Sequence, residues 1–322
     1  MKGWEFTDTN IPLKLVEKPD PVAKPGFVVI DVKAAGLCHS DVAALEDPGW
    51  IGIITAHPMY MGHENAGIIT EIGEGVEGFK VGDRVGIAPI SAKLSAETGR
   101  SWAVGYQCDG GYANKCAVPV DCLVPLPDGV SFLEGAAATD AGMTSYHALY
   151  KAGGAKPGMK VGIIGIGGLG QFAAGMALID GCEVYATDIS PEARKLGEEM
   201  GIKEVYENVI DLAQAKCDVI VDYAGFGQTT ADALEAVNDF GKVVVVGMGI
   251  LEAKINTRSL ILKQAQVIGS CGGTAEDIKD VYDYFATGKL KPQLHTITFD
   301  EVPEGLERLH RGEVKGRLVA VR

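Results

Sequence analysis

The chain has no uninterrupted apolar run of about 18 residues, so no segment reads as a transmembrane helix. Its opening residues, MKGWEFTDTN, lack the apolar stretch of a secretory signal. Basic residues are outnumbered: 29 Lys and Arg against 43 Asp and Glu leave a net charge of −14, which argues against a nucleic-acid backbone as partner. Cysteine is sparse, with seven residues, an odd number, scattered from Cys38 to Cys271 and no C-x₂-C pair. That pattern excludes a disulfide framework. Together these absences predict a protein of the reducing cytoplasm, with no membrane and no nucleic-acid partner. There is also no internal repeat and no low-complexity segment.

What is present points to two domains. A chain of 322 residues is longer than one hydrophobic core usually serves, and 47% hydrophobic residues is ordinary for a globular protein. In the first 130 residues, short β-branched runs (Phe27 to Val32, Gly67 to Glu71, Arg84 to Ala88, Lys115 to Val118) are punctuated by Pro25-Gly26, Gly73 to Gly75, Gly82-Asp83 and Asp109 to Gly111. This predicts an irregular β-rich domain. Ser131 and Glu134 have capping-box spacing for a helix that follows Pro127-Asp128-Gly129.

From about Ala141 strands and helices alternate. Strands are predicted at 161–164, 183–187, 219–222, 242–246 and 266–270, and helices at 171–179, 191–200 and 229–237. That rhythm predicts an α/β fold, a doubly wound parallel sheet beside the β-rich domain. A helix around 276–286 and a final strand in VKGRLVAVR complete the chain. The expected division is 1–141 with 272–322 for one domain and 142–271 for the other.

Lys160 to Ser190 carries the first chemical signal. After the apolar run Val161 to Ile164 come Gly165, Gly167 and Gly170, in G-x-G-x-x-G spacing. The first glycine permits a tight turn, the second lets a pyrophosphate approach the backbone, and the third lets helix and strand pack closely. The helix N-terminus then offers free N–H donors to the phosphates. Gly168 and Leu169 complete the turn, and Asp188 lies eighteen positions after Gly170, where an acid accepts hydrogen bonds from ribose hydroxyls. Among 43 glycines the spacing alone would be weak, and a glycine-rich turn in an ordinary α/β domain is the alternative. Strand, helix, second strand and acid in order point to a dinucleotide. The charge of Asp188, with no basic residue following before Arg194, favours NAD over NADP.

Two clusters in the β-rich half carry the second signal: Cys38, His39, Ser40 and Asp41 in AAGLCHSDV, and His63 and Glu64 in MGHENAGII. Thiolate and imidazole suit Zn²⁺, and a catalytic zinc takes three protein ligands with one position open. Taken singly, Cys38 is more often a small buried hydrophobe, and His63 a hydrogen-bonded core residue, than either is a ligand.

Taken with GLCHSD, the GHE of Gly62 to Glu64, EIGEGVEGFKVGDRV, DGGYA and GIGGLG, these clusters give the chain a specific likeness over nearly its whole length. It resembles the zinc-dependent medium-chain alcohol dehydrogenases, in the form found in some bacterial secondary-alcohol and aryl-aldehyde enzymes. The resemblance implies a GroES-like catalytic domain and a Rossmann domain. Cys38 and His63 would hold the catalytic zinc, with Glu64 beside the metal and Asp41 orienting the histidine. Where most of the family has a cysteine as third ligand, this chain has Asp140. Carboxylate oxygen is an acceptable ligand; the alternative is a helix-start carboxylate, with Glu64 or water completing the site.

The resemblance further implies Ser40 as the hydroxyl that relays the substrate's proton. Thr144 would contact the cofactor and Arg317 would pair with its pyrophosphate, unless Arg317 is a solvated surface residue. Homodimers or homotetramers are implied as well.

Two departures stand out. The segment Ala88 to Cys108 is short and has a single cysteine, so one zinc per subunit and no structural zinc is expected. The relay histidine found in many members five positions after the ligand cysteine is Ala43 here. Trp50, Ile51 and Trp102 are pocket walls or core packing; His39 is placed to touch cofactor or substrate, whereas His57 and His147 read as packing.

The expected reaction interconverts a primary or secondary alcohol and its aldehyde or ketone by hydride transfer with NAD(H). A zinc-dependent polyol or sugar dehydrogenase, a zinc-free quinone or enoyl reductase of the same superfamily, and a non-catalytic dinucleotide-binding protein are the alternatives.

Overall fold

The computed structural model describes all 322 residues apart from the side chains of Trp50 and Ile51. The two pocket-wall expectations for those residues therefore lie outside what is described. The chain forms two compact units, one of residues 1–140, 274–286 and 294–322, the other of residues 141–273 and 287–293. The expected boundaries differ from these by one or two residues, and by the short return of 287–293. That return has a local cause inside the second unit: Gln293 N–H donates to Gln171 Oε1 at 2.6 Å and Gln171 Nε2 donates to the Gln293 carbonyl at 3.3 Å.

In the first unit, Phe27–Gly36 is the central strand. It pairs antiparallel with Glu64–Ile72, Lys115–Pro119 and the C-terminal Arg317–Val321. The sheet extends through Arg84–Ile87 to Leu123–Pro125 on one side and to Leu294–Thr298 on the other. Val28, Ile30, Val32, Ile69, Val85, Ile87 and Leu318 are nearly solvent-free and form its core. The strand Glu64–Ile72 starts three residues before the β-branched run that announced it, so His63 and Glu64 stand at its very entrance. Phe27–Gly36 ends just short of Cys38. The register Gly36↔Glu64 then sets the cysteine segment beside the histidine segment.

Three helices not expected from the sequence, His39–Glu46, Ala92–Thr98 and Val302–His310, also belong to this unit. The short segment before Cys108 is closed by polar contacts: Ser91 Oγ donates to Asp121 at 2.8 Å and Trp102 N–H to Ser95 Oγ at 2.9 Å.

The second unit is a six-stranded parallel sheet in the spatial order Glu204–Tyr206, Glu183–Thr187, Lys160–Ile164, Val219–Asp222, Lys242–Val245, Gln266–Gly269. Numbered along the sheet this is 3-2-1-4-5-6, the doubly wound order, with its switch point between Lys160–Ile164 and Val219–Asp222. The apolar runs that predicted the four inner strands are largely buried, as parallel strands covered by helices must be, whereas Gln266–Gly269 at the edge is mostly exposed. Among the described residues no helix is long and apolar enough to cross a membrane.

Candidate metal centre and dinucleotide site

The metal cluster lies wholly in the first unit. Cys38 precedes the helix His39–Glu46, His63 and Glu64 open their strand, and Asp140 comes from the helical segment that starts at Phe132. Ser131 caps that segment as its spacing predicted: its Oγ accepts the Glu134 N–H at 3.2 Å and Glu134 Oε2 accepts the Ser131 N–H at 2.8 Å. Asp140 is thus not a helix-start carboxylate. It stands two turns in, on a π-turn spanning Ala138–Gly142. Such turns widen the helix by one residue and recur at functional sites. Here the alanines 136–138 stay in the core while the carboxylate emerges beside Cys38 and His63.

One ligand atom from each of Cys38, His63, Glu64 and Asp140 fits within 4.8 Å of the others. Cys38 Sγ is 3.6 Å and His63 Nε2 3.7 Å from Asp140 Oδ2. Tetrahedral zinc with ordinary bond lengths would set sulfur and oxygen about 3.6 Å apart, and nitrogen and oxygen about 3.4 Å apart. The donor set and its spacing fit that ion. Ser40 Oγ lies 3.3 Å from His63 Nε2, on the ligating side of the ring.

On the opposite side of the ring, His63 Nδ1 and Asp41 Oδ1 approach to 3.2 Å, although both are buried and neither has an aligned hydrogen-bond partner. With Nε2 committed to a metal the ring proton must sit on Nδ1, facing that carboxylate. Burial works against a charged ring. The nearby Tyr106, Asp41 and Asp140 outweigh it and raise the His63 pKa well above the ordinary value.

Arg317 also faces the metal cluster. Rather than being solvated it is 3% exposed, and its Nε donates to Glu64 Oε2 at 3.0 Å while Nη2 ion-pairs with Glu64 Oε1. The same Nη2 reaches Asp140 Oδ2 at 3.3 Å. Its partners in the structure are these two carboxylates. The physical reason is the register of Arg317–Val321 against Phe27–Gly36, which delivers the side chain into the metal cluster.

Counting Cys38 as thiolate, the donor set carries three negative charges. A dication and one guanidinium balance them. His39, the neighbour of Cys38, is exposed on its helix; desolvation by the surrounding protein and the positive charge of Arg317 both lower its pKa. Trp102 packs against the core of this unit.

Two tyrosines escaped the sequence reading. Tyr106 is buried, its ring centroid is 5.3 Å from that of His63, and its phenol lies by Ser40. Tyr112 is fully buried and its hydroxyl donates to Asp41 Oδ2 at 2.6 Å. Only the second had a signal, as a member of the DGGYA motif.

The glycine loop lies in the second unit. Gly165 adopts φ +85°, a conformation other residues avoid. A Cβ on Gly170 would fall 1.8 Å from the Gly165 carbonyl oxygen, whereas one on Gly167 would meet nothing within 4 Å. Gly170 is thus required for packing, and the space over Gly167 is open for a phosphate. Leu169 leads into the helix Gly170–Ile179, whose first N–H groups face that turn.

Asp188 braces the loop. Its Oδ2 accepts the Ile166 N–H and its Oδ1 the Ser190 N–H, both at 2.8 Å. Arg194, the first basic residue after it, is committed to the Asp188 and Ile189 carbonyls and to Glu207. Thr144 is buried in Met143–Tyr146 of the same unit.

Comparison with known proteins agrees with this geometry. Residues 24–128 match the alcohol dehydrogenase GroES-like domain and residues 168–287 the zinc-binding dehydrogenase domain. An alcohol dehydrogenase of Geobacillus stearothermophilus is 35% identical over 341 aligned positions, covering 99% of this chain and 98% of the relative. The alcohol dehydrogenase of the archaeon Aeropyrum pernix has a similar structure, with TM-score 0.90 and 28% identity over the full length of both chains. The acetophenone reductase of Geotrichum candidum, solved with NAD, gives 0.88 and 30%, covering 100% of this chain and 97% of that one.

Proposed function

The chain belongs to the zinc-dependent medium-chain alcohol dehydrogenases and is an NAD-dependent alcohol oxidoreductase; from that premise we propose how its residues divide the work. Cys38, His63 and Asp140 hold the zinc, and Glu64, clamped by Arg317, stays beside it and leaves the fourth position to the substrate. The observation that carries this reading is the convergence of four ligand-bearing side chains within 4.8 Å, with the guanidinium fork on Glu64 and a single contact on Asp140. When bound, zinc supplies a Lewis acid that lowers the pKa of an alcohol oxygen, and NAD supplies the hydride acceptor.

The protein's own groups do the rest. Ser40 takes the substrate's hydroxyl proton at Oγ and passes its own to water. Tyr106 holds the Ser40 hydroxyl in place. Asp41 keeps the ring proton of His63 on Nδ1. In the other unit Gly165, Gly167, Gly168, Leu169 and Gly170 receive the pyrophosphate. Asp188 receives the ribose hydroxyls, and Thr144 contacts the cofactor.

Wild-type protein should contain one zinc per chain and turn over an alcohol panel with NAD, in a chelator-sensitive manner. Asp140→Ala should lower zinc affinity by about 100-fold, the upper end for losing a metal-site partner. Full zinc occupancy of that variant under chelator challenge would remove Asp140 from the ligand set.

We also infer a homo-oligomer. The strand Gln266–Gly269 is an edge, paired only with Lys242–Val245, and Val267 on it is 40% exposed. Nearby in the chain, Ile261 and Leu262 are 70% and 68% exposed. Edge pairing between two copies would cover the unpaired backbone groups; a monomeric mass by light scattering would refute it. Seven free cysteines support a cytoplasmic location.

A further inference from the structure

The segment Asp109–Ala113, DGGYA, is laid along the histidine segment by backbone hydrogen bonds. Gly110 N–H donates to the Tyr60 carbonyl at 2.7 Å, Gly111 N–H to Gly62 at 2.8 Å and Tyr112 N–H to Met61 at 2.8 Å. This places the Tyr112 ring directly against Gly62, which has φ +96°; a Cβ there would fall 2.6 Å from the ring's Cδ1. The ring is fully buried, so its hydroxyl needs a partner. It donates to Asp41 Oδ2 at 2.6 Å, with the Gly36 carbonyl at 3.3 Å as a weaker second acceptor. Asp41 Oδ2 also accepts the Cys38 N–H at 3.1 Å. Both donors therefore converge on one carboxylate oxygen, and the other, Oδ1, is left facing His63 Nδ1 at 3.2 Å.

We propose that Tyr112 is a positioning residue for the metal centre: by fixing Asp41 Oδ2 it turns Oδ1 toward His63 Nδ1 and so keeps His63 Nε2 bare for the metal. The inference deepens the reading of Cys38, His63 and Asp140 as zinc ligands and rests on it. Tyr112 acts only through Asp41. Without its hydroxyl the carboxylate is pinned by one backbone N–H alone and is free to rotate, so the ring loses the acceptor that selects its tautomer.

The same logic makes a distinct forecast for Asp41→Asn. Tyr112 and the Cys38 N–H both demand the amide oxygen, so the amide NH₂ must face His63 Nδ1. The ring proton is driven onto Nε2, the tautomer that cannot bind a metal.

The experiment measures zinc affinity by chelator competition on the full-length protein, with the visible spectrum of the cobalt(II)-substituted form as second readout. Wild type comes first: one zinc per chain establishes the metal reading on its own, and no zinc overturns that reading rather than this one. Tyr112→Phe, which keeps the ring, should bind zinc about 3- to 10-fold more weakly, less than the 10–100-fold typical of a ligand's direct partner, and should alter the cobalt bands. Asp41→Asn should bind at least about 100-fold more weakly. Asp41→Asn/Tyr112→Phe should be no worse than Asp41→Asn, because the hydroxyl acts through the carboxylate.

Unchanged zinc affinity and unchanged cobalt bands in Tyr112→Phe, or fully additive losses in the double variant, would overturn the proposal. A purely structural role would lower the urea midpoint without moving either metal readout, and counts against it. Should Tyr112→Phe fail to fold, Asp41→Asn alone decides: zinc affinity within about 3-fold of wild type means that the amide does not face the ring as forecast and the proposal fails.

Discussion

Replacing Arg317 by Met removes a guanidinium while roughly keeping the length of the side chain, and it tests how the metal site is held together. Arg317 is 3% exposed and Glu64 fully buried, with Nε to Oε2 at 3.0 Å. At an effective dielectric constant near 20, two unit charges at that separation attract by about 5–6 kcal/mol. Desolvation of both ions offsets much of this in the intact pair. In the variant the offset is lost on one side only, because Glu64 remains in place without its cation. Breaking a buried pair in this way costs about 3–5 kcal/mol.

The assay is urea unfolding of the metal-free protein, where no ion competes for Glu64. With a slope of about 3 kcal/mol/M the midpoint should fall by about 1–2 M. Arg317→Met/Glu64→Gln should recover most of the loss, because the fully buried Glu64 charge is then gone and only the partly exposed Asp140 carboxylate loses its guanidinium contact. A single variant within about 1 kcal/mol of wild type, or strictly additive losses in the double, would show that the pair is not coupled as the distances imply.

Gly170→Ala places a Cβ 1.8 Å from the Gly165 carbonyl oxygen, a backbone atom that cannot step aside cheaply. NAD affinity by fluorescence titration should fall by at least about 10-fold, with destabilisation of about 1–3 kcal/mol from overpacking; wild-type NAD binding would refute the role assigned to the loop. Cys271 is the exposed cysteine, whereas burial pushes the Cys108 and Cys217 thiols up to about 12. Thiol alkylation needs the thiolate, so at pH 8 those two should stay protonated and unreactive while Cys271 is modified first. Peptide mapping that finds Cys108 or Cys217 alkylated ahead of Cys271 would contradict this.

The parallel sheet was legible because its signals are local. A strand buried on both faces is a run of apolar residues, and all five strands expected in the second unit were found within a residue or so; only the three-residue edge Glu204–Tyr206 passed unmarked. The glycine fingerprint is local in the same way, since three glycines, a helix start and an acid fall within one βαβ turn. The β-rich unit was harder. Its strands vary in length, and the helices Ala92–Thr98 and Val302–His310 are short; the Ser91 cap and Gly99 stop of the first, and Pro303 at the start of the second, were signals the sequence reading passed over.

Sequence alone determined which residue types were available to the metal centre and that a dinucleotide loop sits beside Asp188, because those depend on chemistry and on neighbours along the chain. Tertiary structure decided who touches whom. Arg317 meets Glu64 across 253 positions and Tyr112 meets Asp41 across 71. Neither pairing leaves a periodicity or a spacing behind, because it arises only when separate strands settle into register. A burial that strips water from a charge or a hydroxyl is a property of the packed interior, and it makes Arg317 the counter-ion of Glu64 and Asp140.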